Sequence, residues 1–222
     1  DQQLKNEMTI DCILLAGRIM MQSGAETYRV EDTMLRMARS QNMLDAQSYV
    51  TPTGIIFSLG KTQPTRITSI STRMTDLHRI SLVNSISRKL TSQIITLEQA
   101  YDELKKIEKT NFFLPMWIQV LAASIGSAAI MIMFKGIWSD IPAAMIAGGT
   151  AHYIVSIVHE KTKVKFFSEF IAALVVAIIA TFAVRYNFGQ IIDRIIIGSV
   201  MPLVPGLLIT NAVRDLMAGH FT

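Results

Sequence analysis

Four stretches of this chain carry no Lys, Arg, Asp or Glu, or a single one near an end: Met116 to Phe134, Ile141 to Val158, Phe166 to Val184 and Ile195 to Val213. Each is 18 or 19 residues long. A helix of about 20 apolar residues crosses a hydrocarbon core of about 30 Å. Lipid offers no partner for loose backbone groups, so such stretches must be helical. Four of them, joined by short charged loops, predict an all-α polytopic transmembrane bundle over residues 111–222. The charge distribution agrees. Of the 21 basic and 17 acidic side chains, 26 lie in residues 1–110 and 12 beyond them. The chain is thus expected to divide near Thr110 into a water-soluble part and a lipid-soluble part.

The net charge of +4 splits evenly between the two parts and forms no basic block, which argues against nucleic acid as a partner. The single cysteine, Cys12, lies in an apolar helical pattern and reads as a core residue of a reduced domain facing the cytosol. The chain begins at Asp1 with no signal peptide ahead of the folded pattern, and is expected to be part of a longer protein.

Orientation follows from the basic flanks. With residues 1–110 inside, the inner flanks carry Lys105, Lys106, Lys109, Lys161, Lys163, Lys165 and Arg214. The outer flanks carry only Lys135, Arg185 and Arg194. This asymmetry predicts a multi-pass protein of the cytoplasmic membrane with its N-terminal domain in the cytoplasm. Trp117 and Trp138 sit near the two ends of the first span, where interfacial aromatics belong. Small residues recur every four positions at Ala143, Ala147 and Ala151, at Ala173, Ala177 and Thr181, and at Ala122 and Gly126 beside Ala123 and Ser127. That spacing lets helix backbones approach closely within one chain or between chains.

The fourth run differs from the others. It contains Gly198-Ser199-Val200-Met201-Pro202-Leu203-Val204-Pro205-Gly206, followed by Thr210, Asn211 and Asp215. Two prolines three residues apart remove two backbone donors and break the helix. Carbonyls freed deep in a membrane persist only inside protein or beside a wet cavity. Broken helices of this kind form substrate sites in secondary transporters, whereas a purely structural kink is the plainer reading. Gly198, Ser199, Pro202, Pro205, Gly206, Asn211 and Asp215 are therefore candidate pathway residues. His152, following Gly148-Gly149-Thr150-Ala151, is the one titratable side chain well inside an uncharged span and joins them. A neutral histidine satisfied by a neighbouring carbonyl is the alternative.

In the N-terminal part, periodicity predicts helices over Leu4 to Ser23 and Ala25 to Asn42. Short strands over Ser48 to Thr51, Thr53 to Leu59 and Thr65 to Ser71 follow, broken at Pro52-Thr53-Gly54 and Gly60 to Pro64. A third helix over Thr75 to Thr91 leads to a fourth that opens on the capping box at Thr96 to Gln99 and is expected to run on into the membrane. The order ααβββαα indicates an α+β domain. No phosphate loop, Gly-x-Ser-x-Gly or metal-ligand spacing is present, so no catalytic residue, metal or cofactor is assigned. His78 is the only histidine in this part. Glu26, Arg29 and Glu31 could form a local ion-pair cluster, with Glu26 and Arg29 three apart on a helix; a solvated helix face is the plainer reading, and a gating or subunit contact the other alternative.

Several motifs occur in an order that resembles the threonine/serine exporter family. They are Leu15-Ala-Gly17-Arg18, Ser23-Gly24-Ala25-Glu26-Thr27-Tyr28-Arg29-Val30-Glu31, Thr51-Pro52-Thr53-Gly54, Thr65-Arg66-Ile67, the segment Asp76 to Asn84, and Thr96 to Ala100. Leu203-Val204-Pro205-Gly206 and Asn211 with Asp215 and Gly219 extend the likeness into the membrane part. The resemblance implies the larger half of a two-part secondary exporter of small hydrophilic metabolites, either threonine and serine or dicarboxylates such as succinate. It implies a second, smaller membrane subunit and an oligomeric assembly, and a further hydrophobic helix after the Asn211–Asp215 segment. Two other functions compete: a membrane-anchored enzyme with a hydrolase-like cytoplasmic domain, and a regulatory or assembly subunit that does not line a pathway.

Overall fold

The computed structural model describes residues 2–60, 64–71, 73–110 and 114–217. The chain is mostly helical, with one small sheet. Its elements are α1 (Gln2–Gln22), α2 (Thr27–Ser40), β1 (Ala46–Thr51), β2 (Gly54–Leu59), β3 (Arg66–Ser69), α3 (Leu77–Thr91) and α4 (Leu97–Lys109). Then come α5 (Met116–Met133), α6 (Ile141–Thr162), α7 (Lys165–Arg185), α8 (Ile192–Val200) and α9 (Gly206–Met217). Two compact units result. One comprises Asp1–Asn111 with Gly206–Thr222, the other Phe112–Pro205.

In the first unit α1 is the central element. Ile10, Cys12, Ile13, Leu15, Ala16, Ile19 and Met20 are all buried, on more than one face, as expected of a helix enclosed by others. It packs against α2, α3, α4 and β2. At Gly17 an added Cβ would lie 2.5 Å from the Met34 sulfur and 3.2 Å from Ile55, so this glycine sets how closely α1, α2 and β2 approach. The sheet is an antiparallel meander in the order β1-β2-β3. The central strand turns Ile55, Phe57 and Leu59 inward, the period-two pattern of a half-buried strand. Burial pushes the Cys12 thiol up to about 12 from 9.0. A raised acid favours the neutral folded form below pH 9, and that contribution is lost only as pH climbs toward about 12. At neutral pH the thiol is buried and protonated.

The capping box stands as the sequence predicts. Thr96 accepts from the Gln99 backbone N–H at 3.3 Å, and Gln99 accepts from the Thr96 N–H at 3.0 Å. The expectation that this helix runs on toward the membrane fails. α4 stops at Lys109, Thr110 is extended with ψ 128°, and α5 starts afresh at Met116 after Pro115. The proline disfavours helical backbone at the residue before it. Residues 61–63 of the predicted Gly60 to Pro64 break, and Gly219, lie outside the described residues.

In the second unit α5, α6 and α7 are long and apolar enough to cross a membrane. The count becomes four if the broken segment made of α8 and α9 is taken as one span. α8 packs against all three long helices. The glycines permit this. A Cβ at Gly198 of α8 would lie 2.5 Å from the Met131 Cβ and 2.7 Å from the Ser127 carbonyl oxygen, both on α5. Gly148 and Gly149 of α6 leave no room for a side chain against Ser127 and Ser124 of α5. Ala147 and Ala151 of α6 pack on Ala172 and Val176 of α7. The α6 repeat Ala143, Ala147 and Ala151 is thus a helix-packing seam. The repeats on α7 and at Ala122 and Gly126 of α5 are not: on α7 Ala172, Val176 and Ala180 are buried while Thr181 is exposed, and on α5 Ala122 is exposed and a Cβ at Gly126 meets nothing within 4 Å.

Candidate functional site: the broken helix and its two sides

The helix that begins at Ile192 fails in two steps. After Val200 the chain tightens into a 3₁₀ turn over Met201–Leu203. Pro202 has no N–H to give the Gly198 carbonyl four residues back. Val204 then turns extended, with φ −70° and ψ 124°, as a residue before proline prefers. Its N–H bonds the Met201 carbonyl at 3.1 Å. Pro205 ends the second unit, and α9 opens at Gly206. The sequence-predicted break is therefore present, and the candidate residues fall on its two sides.

On the α8 side, Ser199 is fully buried and donates to the Ala144 carbonyl at 3.2 Å. Gly198 lies against α5 as described above. Ser127, between Gly148 and Gly198, is also fully buried, and its hydroxyl has no hydrogen-bond partner among the described residues. Buried polar atoms are seldom left unpaired, so three serines and three glycines at this crossing make the polar spot in an apolar bundle. His152 is half-buried on α6. Its Nε2 lies 3.3 Å from the side-chain oxygen of Gln119, which in turn donates to the Leu114 carbonyl at 2.7 Å. The structure thus gives His152 a neutral amide partner on α5.

On the α9 side, within the first unit, the polar residues are engaged. α1 ends in a Schellman turn: Ala25 N–H bonds the Met20 carbonyl at 3.0 Å, Gly24 N–H bonds that of Met21 at 3.1 Å, and Gly24 has φ +84°. Three further carbonyls of this turn need donors. Met74 N–H serves Gln22 and Asp76 N–H serves Ser23. The Asn211 side-chain amide serves Gly24 at 2.8 Å. One turn on, Asp215 accepts from the Thr27 hydroxyl at 2.9 Å, and Arg214 pairs with Glu26. Glu26 is buried where Arg214 is half exposed. Local spacing pointed to Arg29 as the partner of Glu26; the structure supplies Arg214, 188 residues away. Arg29 is exposed, and Glu31 is half-buried and engaged by other groups. The opposite face of α9 leaves Ile209, Val213 and Leu216 exposed.

One residue of this part was not visible to sequence reasoning. Asp140 is fully buried, yet its carboxylate accepts the Gln190 N–H at 2.6 Å and the Ile191 N–H at 3.2 Å. It sits at the start of α6 and clasps the backbone that opens α8, where the positive end of the helix dipole favours an anion. An acid beside Pro142 in a short loop looks like an ordinary helix cap, and only the tertiary structure brings residue 190 to it. Asp140→Ala is expected to cost about 1–3 kcal/mol, because it removes the acceptor of two part-buried backbone donors. A thermal melt in detergent reads this, and an unchanged midpoint would argue against the clasp.

Among the described residues no group of three or more His, Cys, Asp and Glu could hold a metal. A family model described as "Putative threonine/serine exporter" matches residues 11–222. A "Probable threonine/serine exporter" of Mycobacterium tuberculosis is 21% identical over 98% of this chain, which spans 42% of that protein. A "Probable succinate transporter subunit YjjP" of Klebsiella aerogenes is 23% identical over 99% of this chain and 84% of its own length. The "Pheromone-regulated membrane protein 10" of Candida albicans is 27% identical over 90% of this chain, which spans 19% of it. No solved structure matches. The match to the family model runs through both units and across the break between them, and the chain belongs to the threonine/serine exporter family.

Proposed function

We propose that this chain is one subunit of a secondary exporter of small hydrophilic metabolites that carry a carboxylate. The observation that carries the reading is the helix break at Val204–Pro205, at the end of a helix packed against three long apolar ones. A carboxylate needs donors and a coupling cation needs acceptors, and an interrupted helix supplies both from its backbone. Gly198, Ser199, Pro202 and Pro205 are the pathway residues in this proposal. Gly206 opens α9 beyond the break, and Asn211 and Asp215 hold that helix in place. The relatives' names support the substrate class, since threonine, serine and succinate share the carboxylate. One relative is named as a subunit, which supports a partner chain, taken in this proposal to be a second, smaller membrane subunit.

The proposed layout is a cytoplasmic α+β domain of order ααβββαα and an all-α bundle in the cytoplasmic membrane, supported by the basic residues at the inner flanks. In intact cells a cysteine at exposed Asn187 should label from outside and one at exposed Lys163 should not; the reverse pattern would overturn the orientation. The function is tested by counterflow in membrane vesicles, with and without the smaller chain. Labelled threonine, serine or succinate should exchange only with both chains present. No exchange of any of the three would sink the proposal.

A further inference from the structure

The first unit holds a cavity of about 550 Å³ lined by one face of α3 and by Arg29 of α2. That volume falls in the range of small-molecule sites, about 300–1,000 Å³. Its polar lining includes Ser81, Asn84, Ser85, Arg88 and Lys89, spaced so that they share one side of α3. Among the described residues no carboxylate lines it. Four arginines of this unit, Arg18, Arg36, Arg79 and Arg214, each meet an acid, Glu108, Asp32, Asp76 and Glu26 respectively, while Arg39, Arg66 and Arg73 form no ion pair among the described residues and lie outside the cavity lining. Among the described residues Arg29, Arg88 and Lys89 make no ion pair.

Helix electrostatics explains only part of this. Arg88 and Lys89 lie in the last turn of α3, where cations suit the dipole. Arg29 lies in the first turn of α2, where the dipole favours an acid instead. Three uncompensated cations around one concave surface raise the local positive potential and concentrate anions. Two guanidinium forks offer bidentate geometry to a carboxylate or phosphate, and the serine hydroxyls and asparagine amide supply further donors. Leu77 and Ile80 give the cavity an apolar wall that a short carbon skeleton can rest on.

We propose that this cavity binds a small oxyanion, a dicarboxylate or a phosphate-bearing metabolite, at a site of the first unit separate from the helix break. Two sources share that chemistry, a free metabolite and a phospholipid headgroup, and the test separates them. The full chain is placed in nanodiscs of phosphatidylcholine alone, and equilibrium binding of labelled succinate and of inorganic phosphate is measured. The expected result is saturable binding of at least one probe that weakens about tenfold or more in Arg29→Gln and in the pair Arg88→Gln with Lys89→Gln. Arg88→Lys should restore part of it, and Lys106→Gln, outside the cavity, should change nothing. Using two variants on different helices guards against a single misfolded protein. Binding that persists in both cavity variants belongs to another site and overturns the proposal, as does the absence of binding of either probe. Repeating the measurement with phosphatidylglycerol in the disc assigns the source. Undiminished binding supports a free metabolite, and competition by the lipid supports the headgroup.

Discussion

Gly198→Leu is expected to abolish export and to destabilise the second unit by about 3 kcal/mol. The reason is space. A Cβ at residue 198 would already lie 2.5 Å from the Met131 Cβ and 2.7 Å from a backbone carbonyl of α5, and backbone cannot step aside as a side chain can. Overpacking a tight seam costs about 1–3 kcal/mol, and leucine adds three carbons beyond the first clash. The variant should force α8 away from α5 and displace Ser199 from the Ala144 carbonyl. Gly126→Leu is the control on the same bundle, because a Cβ there meets nothing within 4 Å. Thermal melts and export should both separate the two variants. If Gly198→Leu melts and transports like Gly126→Leu, α8 is not the packed element described.

The second large effect belongs to the contacts that hold α9. Asn211→Leu removes the donor for the buried Gly24 carbonyl, at a cost of about 1–3 kcal/mol. Glu26→Arg would set two cations against each other where the buried carboxylate now meets Arg214. Breaking one side of a buried pair costs up to about 3–5 kcal/mol, less here because Arg214 is half exposed. Each variant is expected to reduce export at least tenfold while leaving the chain in the membrane. Charge reversal at both positions, Glu26→Arg with Arg214→Glu, should recover part of the loss. Rescue distinguishes a specific pair from general damage. Normal export by Glu26→Arg alone would mean that the docking of α9 plays no part in transport.

These contacts also show what a linear reading can reach. The capping box at Thr96 and the first residue of α5, Met116, depend on neighbours within one turn or on a continuous apolar run, and both are legible. The two prolines announce the break because their effect on the backbone is local. Hydropathy joined the residues of α8 and α9 into one run, since it registers apolar composition and not which surface a helix meets. The polar stripe Asn211, Arg214 and Asp215 was visible, but its partners Gly24, Glu26 and Thr27 lie nearly the whole chain away. For the same reason Glu26 looked matched to Arg29, and nothing in the sequence singled out Asp140. Long-range complementarity of single side chains carries no period, so only the folded chain reveals it.

A broken helix that lines the export route must become accessible to solute during transport. The direct measurement places a cysteine at Ser199 and treats the transporting chain with a small methanethiosulfonate. The native Cys12 gives little background, because it is buried and its thiol is pushed up to about 12. Ser199 is enclosed in this structure, so access requires the opening that transport itself demands. Modification should proceed during turnover, block export, and be slowed by saturating threonine, serine or succinate. A Ser199→Cys chain that exports normally yet is never modified, or is modified without loss of export, would contradict that role of the broken helix.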